Sequence, residues 1–156
     1  MDDETEAYIA ITRLLHAYAD VINRRAWPEL TGLFASGAPV TVDTVSAPPI
    51  EIAGPERLGA FIGGAVERFD FFELAILSHV VRVVSDTRAT GRLYMVELRQ
   101  DAAGGGWSNA FGVYHDVYEE SGGRWRFAAR RYQTLARTSR LDVFPFPAAF
   151  RGPLSD

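Results

Sequence analysis

Cysteine is absent from the 156 residues, which excludes disulfides, thiolate metal sites and thiol nucleophiles. Lysine is absent as well: all 16 cationic side chains are arginine, so Schiff-base chemistry and a phosphate-loop lysine are excluded. Histidine occurs three times, at His16, His79 and His115. Acid–base chemistry near neutral pH must therefore use these, a carboxyl group or a tyrosine. The net charge of −4 argues against a nucleic-acid partner. No apolar run approaches the ~20 residues of a membrane-spanning helix. The first residues, Met1-Asp2-Asp3-Glu4, are acidic where a secretory leader is basic, so the expected location is the cytoplasm.

Hydrophobic residues make up 47% of the chain and charged residues 23%, the balance of one globular domain spanning 1–156. From about Glu4 to Arg25, Ile11, Leu15, Tyr18 and Ile22 recur on one face of an amphipathic helix. Trp27-Pro28 interrupts it, and Pro28 suits the first position of a short second helix ending near Phe34. Val40 to Val45 is β-prone, and Pro48-Pro49 marks a turn or edge. Gly54-Pro55-Glu56 opens a third helix with Leu58, Phe61, Ile62, Ala65 and Phe69 along one stripe. Strands are expected near 72–84, 88–100, 107–119 and 124–137, separated by turn signals. Three helices followed by a long antiparallel meander define an α+β fold with the helices on one face of the sheet. The tail from Ser139 holds three of the eight prolines and three of the ten phenylalanines. Phe144, Phe146 and Phe150 are too apolar for a solvated tail, and packing on the body or on a neighbouring subunit is favoured over a lid.

Gly104-Gly105-Gly106 follows a strand and precedes no helix, so it reads as a hairpin loop. The three histidines lack metal-ligand spacing, and no metal site is expected. His79 sits in an apolar strand, where a proton acceptor and a core histidine bonded to a backbone carbonyl are equal alternatives. His16 and His115 are expected at the surface. Tyr18 shares the apolar helix face and needs a partner for its hydroxyl. Asn23, five residues on, can reach the same end of a cavity. Strict alternation places Trp125 and Phe127 on one face of the last long strand and Arg126 and Arg130 on the other. A buried Arg130 could stabilise a developing anion; a solvent-face ion pair with Asp116 is the safer reading.

Tyr18-Ala19 with Asn23-x-Arg25-x-Trp27 and Leu33-Phe34 resembles the first helix of SnoaL-like proteins, members of the nuclear transport factor 2-like superfamily. Ile52-x-Gly54-Pro55-Glu56 resembles the opening of that family's third helix. Gly112-x-Tyr114-x-Asp116-x-Tyr118 and Gly123-x-Trp125-x-Phe127-x-x-Arg130 resemble its last hairpin. The resemblance covers nearly the whole chain. It implies a strongly curved, mainly antiparallel sheet around the helices, a cone with a deep apolar pocket.

The dehydratase-like branch implies His79 as base, Tyr18 and Arg130 as groups that polarise or stabilise the substrate, and Asn23 in place of an aspartate that orients the histidine. An asparagine holds a ring N–H without stabilising imidazolium by charge. Tyr114, Trp27 and Phe144 are the expected substrate contacts. The expected function is dehydration, elimination, isomerisation or cyclisation of an apolar polycyclic or aromatic metabolite, without metal or organic cofactor. The alternative is a non-catalytic ligand-binding or structural subunit of the same fold. A small apolar ligand, no nucleic acid, no membrane and a homodimer or homotrimer complete the expectation.

Overall fold

The computed structural model describes residues 1–155. Helix α1 spans Asp3–Arg24; the Thr5 N–H donates to the Asp2 carboxylate at 2.7 Å, and acids fill the first turn. Ile11, Leu15, Tyr18 and Ile22 are all buried, as their spacing requires. Arg25 ends the helix in the left-handed region. The expected second helix is a 3-10 turn, Trp27–Gly32, with Pro28 in its first turn, and it stops short of Phe34. Helix α2, Pro55–Val66, starts behind Gly54 at φ 88°.

Among the described residues seven strands form one open sheet: β1 Pro39–Asp43, β2 Ile50–Ala53, β3 Phe69–Ser85, β4 Arg88–Asp101, β5 Trp107–Ser121, β6 Arg124–Arg137 and β7 Asp142–Val143. The order is β2-β1-β6-β5-β4-β3, with β7 on the end of β6. The four long strands form the expected antiparallel meander, while β1 runs parallel to β6. The residues after Pro48-Pro49 pair with β1 as β2 and form the sheet edge. The helices pack on the inner face, which carries Leu74, Leu93, Met95, Tyr114, Tyr118, Phe127 and Tyr132 of the core.

Single extra residues bend the long strands and reset which side chains face in. Between Val117↔Ala129 and Tyr118↔Phe127, β6 has one more residue than β5. Phe127 and Arg130 therefore both point inward, where strict alternation would oppose them. Leu77 is one of three extra residues of β3 against β4 and turns His79 and Val81 inward after it.

Two strand glycines make room for tyrosine rings. A Cβ at Gly91 would meet the Tyr118 ring at 2.7 Å, and one at Gly112 would collide with the edge of the Tyr132 ring. Gly112→Ala is expected to cost about 1–3 kcal/mol by overpacking. A lower urea midpoint at unchanged m-value would register this loss, whereas an unchanged midpoint would contradict the close approach.

The tail packs on the outer face of the sheet. Phe146 lies 6.3 Å from the Tyr94 ring, and buried Phe150 lies 4.9 Å from His115. Further on, Arg92 donates to the Gly152 carbonyl at 2.7 Å and Thr90 to that of Ser155 at 3.0 Å. Packing on the body is thus what the three phenylalanines do. No helix among the described residues is long and apolar enough to cross a membrane.

Candidate active site

The centre of the inner face is a buried ion pair. Arg130 Nε donates to Asp116 Oδ1 at 2.7 Å and Nη2 to Oδ2 at 3.1 Å, with both side chains 0% exposed. Asp116 is thus the partner that the sequence suggests, but the pair is in the core and not on the solvent face, because the β6 bulge rotates Arg130 inward. Tyr118 donates its hydroxyl to the same carboxylate at 3.0 Å. The guanidinium lies 3.8 Å from the Tyr114 centroid, 4.1 Å from Phe127 and 4.4 Å from Tyr18. Burial opposes the charge on Arg130, yet Asp116 and the surrounding tyrosines outweigh it and keep the group cationic.

Beside this pair lies a cavity of about 120 Å³ between α1, α2 and the inner faces of β1, β3, β4, β5 and β6. Phe61, Ile62, Val66, Phe69 and Phe72 supply apolar wall; Tyr18, Tyr114, Tyr132, Glu97 and Arg99 supply polar groups. A cavity of about 150 Å³ holds one benzene ring, so this space is of the size of a single ring. Arg130 is not in its wall; it acts on the cavity through the Tyr18 and Tyr114 rings. Burial raises the pKa of both tyrosines against the lowering effect of Arg130, so both remain neutral hydrogen-bond donors. Thr134 donates to the Tyr132 hydroxyl at 3.2 Å, which leaves the phenol proton free for another acceptor.

Glu97 and Arg99, with Tyr132, are polar cavity residues that the sequence reading did not single out. Glu97 and Arg99 continue the inward phase of Leu93 and Met95 on β4, and that alternation was the available signal. Arg99 Nη1 lies 3.5 Å from Glu97 Oε2, with the side chains 8% and 24% exposed. Burial pushes the Glu97 carboxyl above its ordinary 4.5, against the pull of Arg99 and Arg68. A carboxylate of raised basicity therefore shares an apolar cavity with neutral phenols.

His79 is elsewhere. Its Nε2 lies 3.1 Å from Thr12 Oγ1, and its ring stacks on Tyr8. The Thr12 hydroxyl gives its one proton to the Tyr8 carbonyl at 2.8 Å. Nε2 must therefore carry the ring hydrogen, by hydrogen-bond bookkeeping, and Nδ1 is the unprotonated nitrogen. Asn23 does not touch this ring: its Oδ1 accepts from the Leu74 N–H at 2.7 Å and its Nδ2 donates to the Leu74 carbonyl at 3.0 Å. Thr12 and Asn23 are about 16 Å apart along a helix rising 1.5 Å per residue. Leu74 and His79 are separated by a similar length of strand. The expected Asn23–His79 dyad is therefore not assembled.

His79 is half-buried, and burial, aided by the charge of His16, lowers its pKa below 6.5. The unfolded chain binds the extra proton first, so stability is full above about pH 6.5 and falls as the pH drops toward the lowered folded value. An NMR titration of the ring carbons is expected to give a midpoint below 6.5; a midpoint above it would contradict this packing.

The remaining site residues divide in the same way. Tyr114 is in the cavity wall. Trp27 packs on α2 outside the cavity, where a Cβ on Gly63 would come 3.1 Å from its indole nitrogen. Phe144 donates its backbone N–H to the Leu135 carbonyl, with the Arg137 guanidinium 5.5 Å from its ring, and is not in the cavity wall. His16 is exposed, whereas His115 is half-buried under Phe150. Among the described residues no group of histidines and acids could hold a metal ion. A larger hollow of about 570 Å³ near the start of α1 is an open groove lined by Asp3, Glu4, Glu6, Asp86 and Glu120, with no cationic or phenolic partner.

The model of the SnoaL-like domain family matches residues 3–131, and the chain belongs to that family. No curated protein matches the sequence. Among solved structures, a hexachlorocyclohexane dehydrochlorinase, LinA-type3 from Novosphingobium barchaimii, is similar at 20% identity and a TM-score of 0.76, over 87% of this chain and 91% of that one. A candidate scytalone dehydratase from Novosphingobium aromaticivorans is similar at 21% identity and 0.74, over 86% and 87%. A protein of the same organism described as NTF2-like with a cystatin-like fold is similar at 18% identity and 0.72, over 84% and 83%. At these identities the likeness establishes the shared fold.

Proposed function

We propose that the chain is a cofactor-independent acid–base enzyme of the lyase or isomerase type, acting on a substrate that places one apolar ring in the inner cavity. The observation that carries this reading is Glu97, a carboxyl of raised pKa facing neutral phenols across an apolar space. Glu97 takes a proton from a carbon beside a carbonyl. Tyr114 and Tyr18 donate hydrogen bonds to the enolate oxygen that forms, and the Arg130 charge behind both rings strengthens them. Tyr132 is a further donor in the same wall. Arg99 holds Glu97 in place and favours its ionised form. Elimination follows where a leaving group lies β to the new carbanion, and isomerisation where the proton returns at another carbon. The family and the dehydratase and dehydrochlorinase among its structural neighbours support the reaction type.

A second reading, a ligand-binding module, is favoured by Asn23, whose amide bonds the Leu74 backbone through both its oxygen and its nitrogen and stands where the family resemblance implies an aspartate. Phenylacetone separates the two, since it joins one ring to an acidic methylene beside a ketone. The enzyme is expected to accelerate deuterium exchange at that methylene above the buffer rate. Binding of phenylacetone without any acceleration would overturn the catalytic reading and leave the module.

A further inference from the structure

The inner cavity opens beside a second hollow of about 200 Å³, and the two share Arg68, Phe69 and Arg99. Four arginines, Arg68, Arg99, Arg137 and Arg140, line this outer hollow, with Asp101 as its one acid and Ser108 as a neutral donor. Arg137 is already occupied: it donates to the Thr44 carbonyl at 3.2 Å and Ser46 Oγ at 3.0 Å, and lies 3.4 Å from Asp142. Arg68 and Arg99 are not so held. The Arg99 side chain is 8% exposed, its Nε has no acceptor among the described residues, and it forms an ion pair with Glu97 at 3.5 Å. Arg68 has no hydrogen-bond acceptor among the described residues; its guanidinium lies 4.8 Å from the Phe69 centroid, with that of Arg99 at 5.1 Å.

A buried guanidinium with an unpaired N–H carries a desolvation cost that an anion would offset. Phe69 stands at the boundary of the two hollows, apolar toward the cavity and flanked by guanidinium groups. A ligand crossing that boundary meets apolar wall at one end and fixed positive charge at the other. The planar fork of arginine matches a carboxylate better than a neutral oxygen.

We propose that the substrate is an apolar acid, with its ring in the inner cavity and its carboxylate on Arg68 and Arg99 in the outer hollow. This rests on the cone interior being the active site and adds the charge class of what it takes. The arginine pair then fixes the orientation of the substrate, holding its apolar end in the cavity that Glu97 and the tyrosines line.

Phenylacetate and its neutral amide, phenylacetamide, have nearly the same shape, so calorimetric or NMR titration of both isolates the charge. Phenylacetate is expected to bind about tenfold tighter or more, and the advantage is expected to shrink as salt rises. Arg68→Gln is expected to remove most of that advantage while leaving phenylacetamide unchanged, and Arg99→Gln is expected to remove it as well. Arg68 is exposed, so its variant folds even where the buried Arg99→Gln does not. Equal binding of acid and amide, or an advantage that survives Arg68→Gln, would overturn the inference while the cavity reading stands. Failure of acid, amide and phenylacetone alike to bind would overturn both.

Discussion

Asp116→Ala is expected to destabilise the protein by about 3–5 kcal/mol, the usual consequence of removing one partner from a buried ion pair. The carboxylate accepts two hydrogen bonds from Arg130 and one from Tyr118, and neither member of the pair reaches water. Its removal leaves a full positive charge enclosed by three aromatic rings, whose attraction amounts to only about 0.5–2 kcal/mol each. At this chain length the loss corresponds to a melting temperature lower by roughly 6–20 °C. Urea unfolding of Asp116→Ala gives the loss directly, and the double variant Asp116→Leu with Arg130→Met is expected to recover most of it. A loss under about 1 kcal/mol for the single variant would contradict the enclosed pair.

Glu97→Gln is expected to lower the rate of phenylacetone exchange by 10²–10⁴-fold, the usual contribution of a positioned general base. The amide keeps the size of the side chain and removes its basic oxygen. The fold is expected to tolerate the change, because Arg99 loses one contact at 3.5 Å and no bidentate bridge. In the wild type the rate rises with pH as Glu97 ionises, with a midpoint above the ordinary 4.5 because burial holds the acid form. The variant is expected to lose that limb of the profile. An unchanged rate in Glu97→Gln would sink the assignment of the base.

Much of the architecture is legible in the residues, because it rests on periodicity. The α1 stripe at Ile11, Leu15, Tyr18 and Ile22 and the four long strands follow from spacing and turn residues alone. Pairing of Arg130 with Asp116 was also legible, since two adjacent antiparallel strands bring them into register. Its burial was not. One extra residue near Ala128 reverses the facing of everything after it, and a one-residue bulge leaves no compositional trace.

The site was legible only in part for a related reason. Tyr18 lines the cavity from the apolar face of α1 that its spacing defines, and Tyr114 from the inner face of β5. His79 seemed the natural base because it is the strand histidine, but the position that Asn23 meets is Leu74, five residues earlier. Chain distance along β3, and not residue type, decides which side chain meets the end of α1. Glu97 and Arg99 sit in phase with Leu93 and Met95, so two charges on a core-facing row were the overlooked signal. The lining of a cavity drawn from five strands and two helices is a property of register, which a single sequence encodes only through its exceptions.

The central claim is that ligand chemistry is in the cavity of Glu97, Tyr114 and Tyr132 and not at His79. Intermolecular nuclear Overhauser effects from bound phenylacetone test this most directly, because they report contacts within about 5 Å. The account predicts contacts from the probe ring to Phe72, Tyr114 and Tyr132, with none to Tyr8 or Thr12. Contacts to Tyr8, Thr12 and the His79 ring, with none to the cavity tyrosines, would contradict it and return the histidine to the role of base.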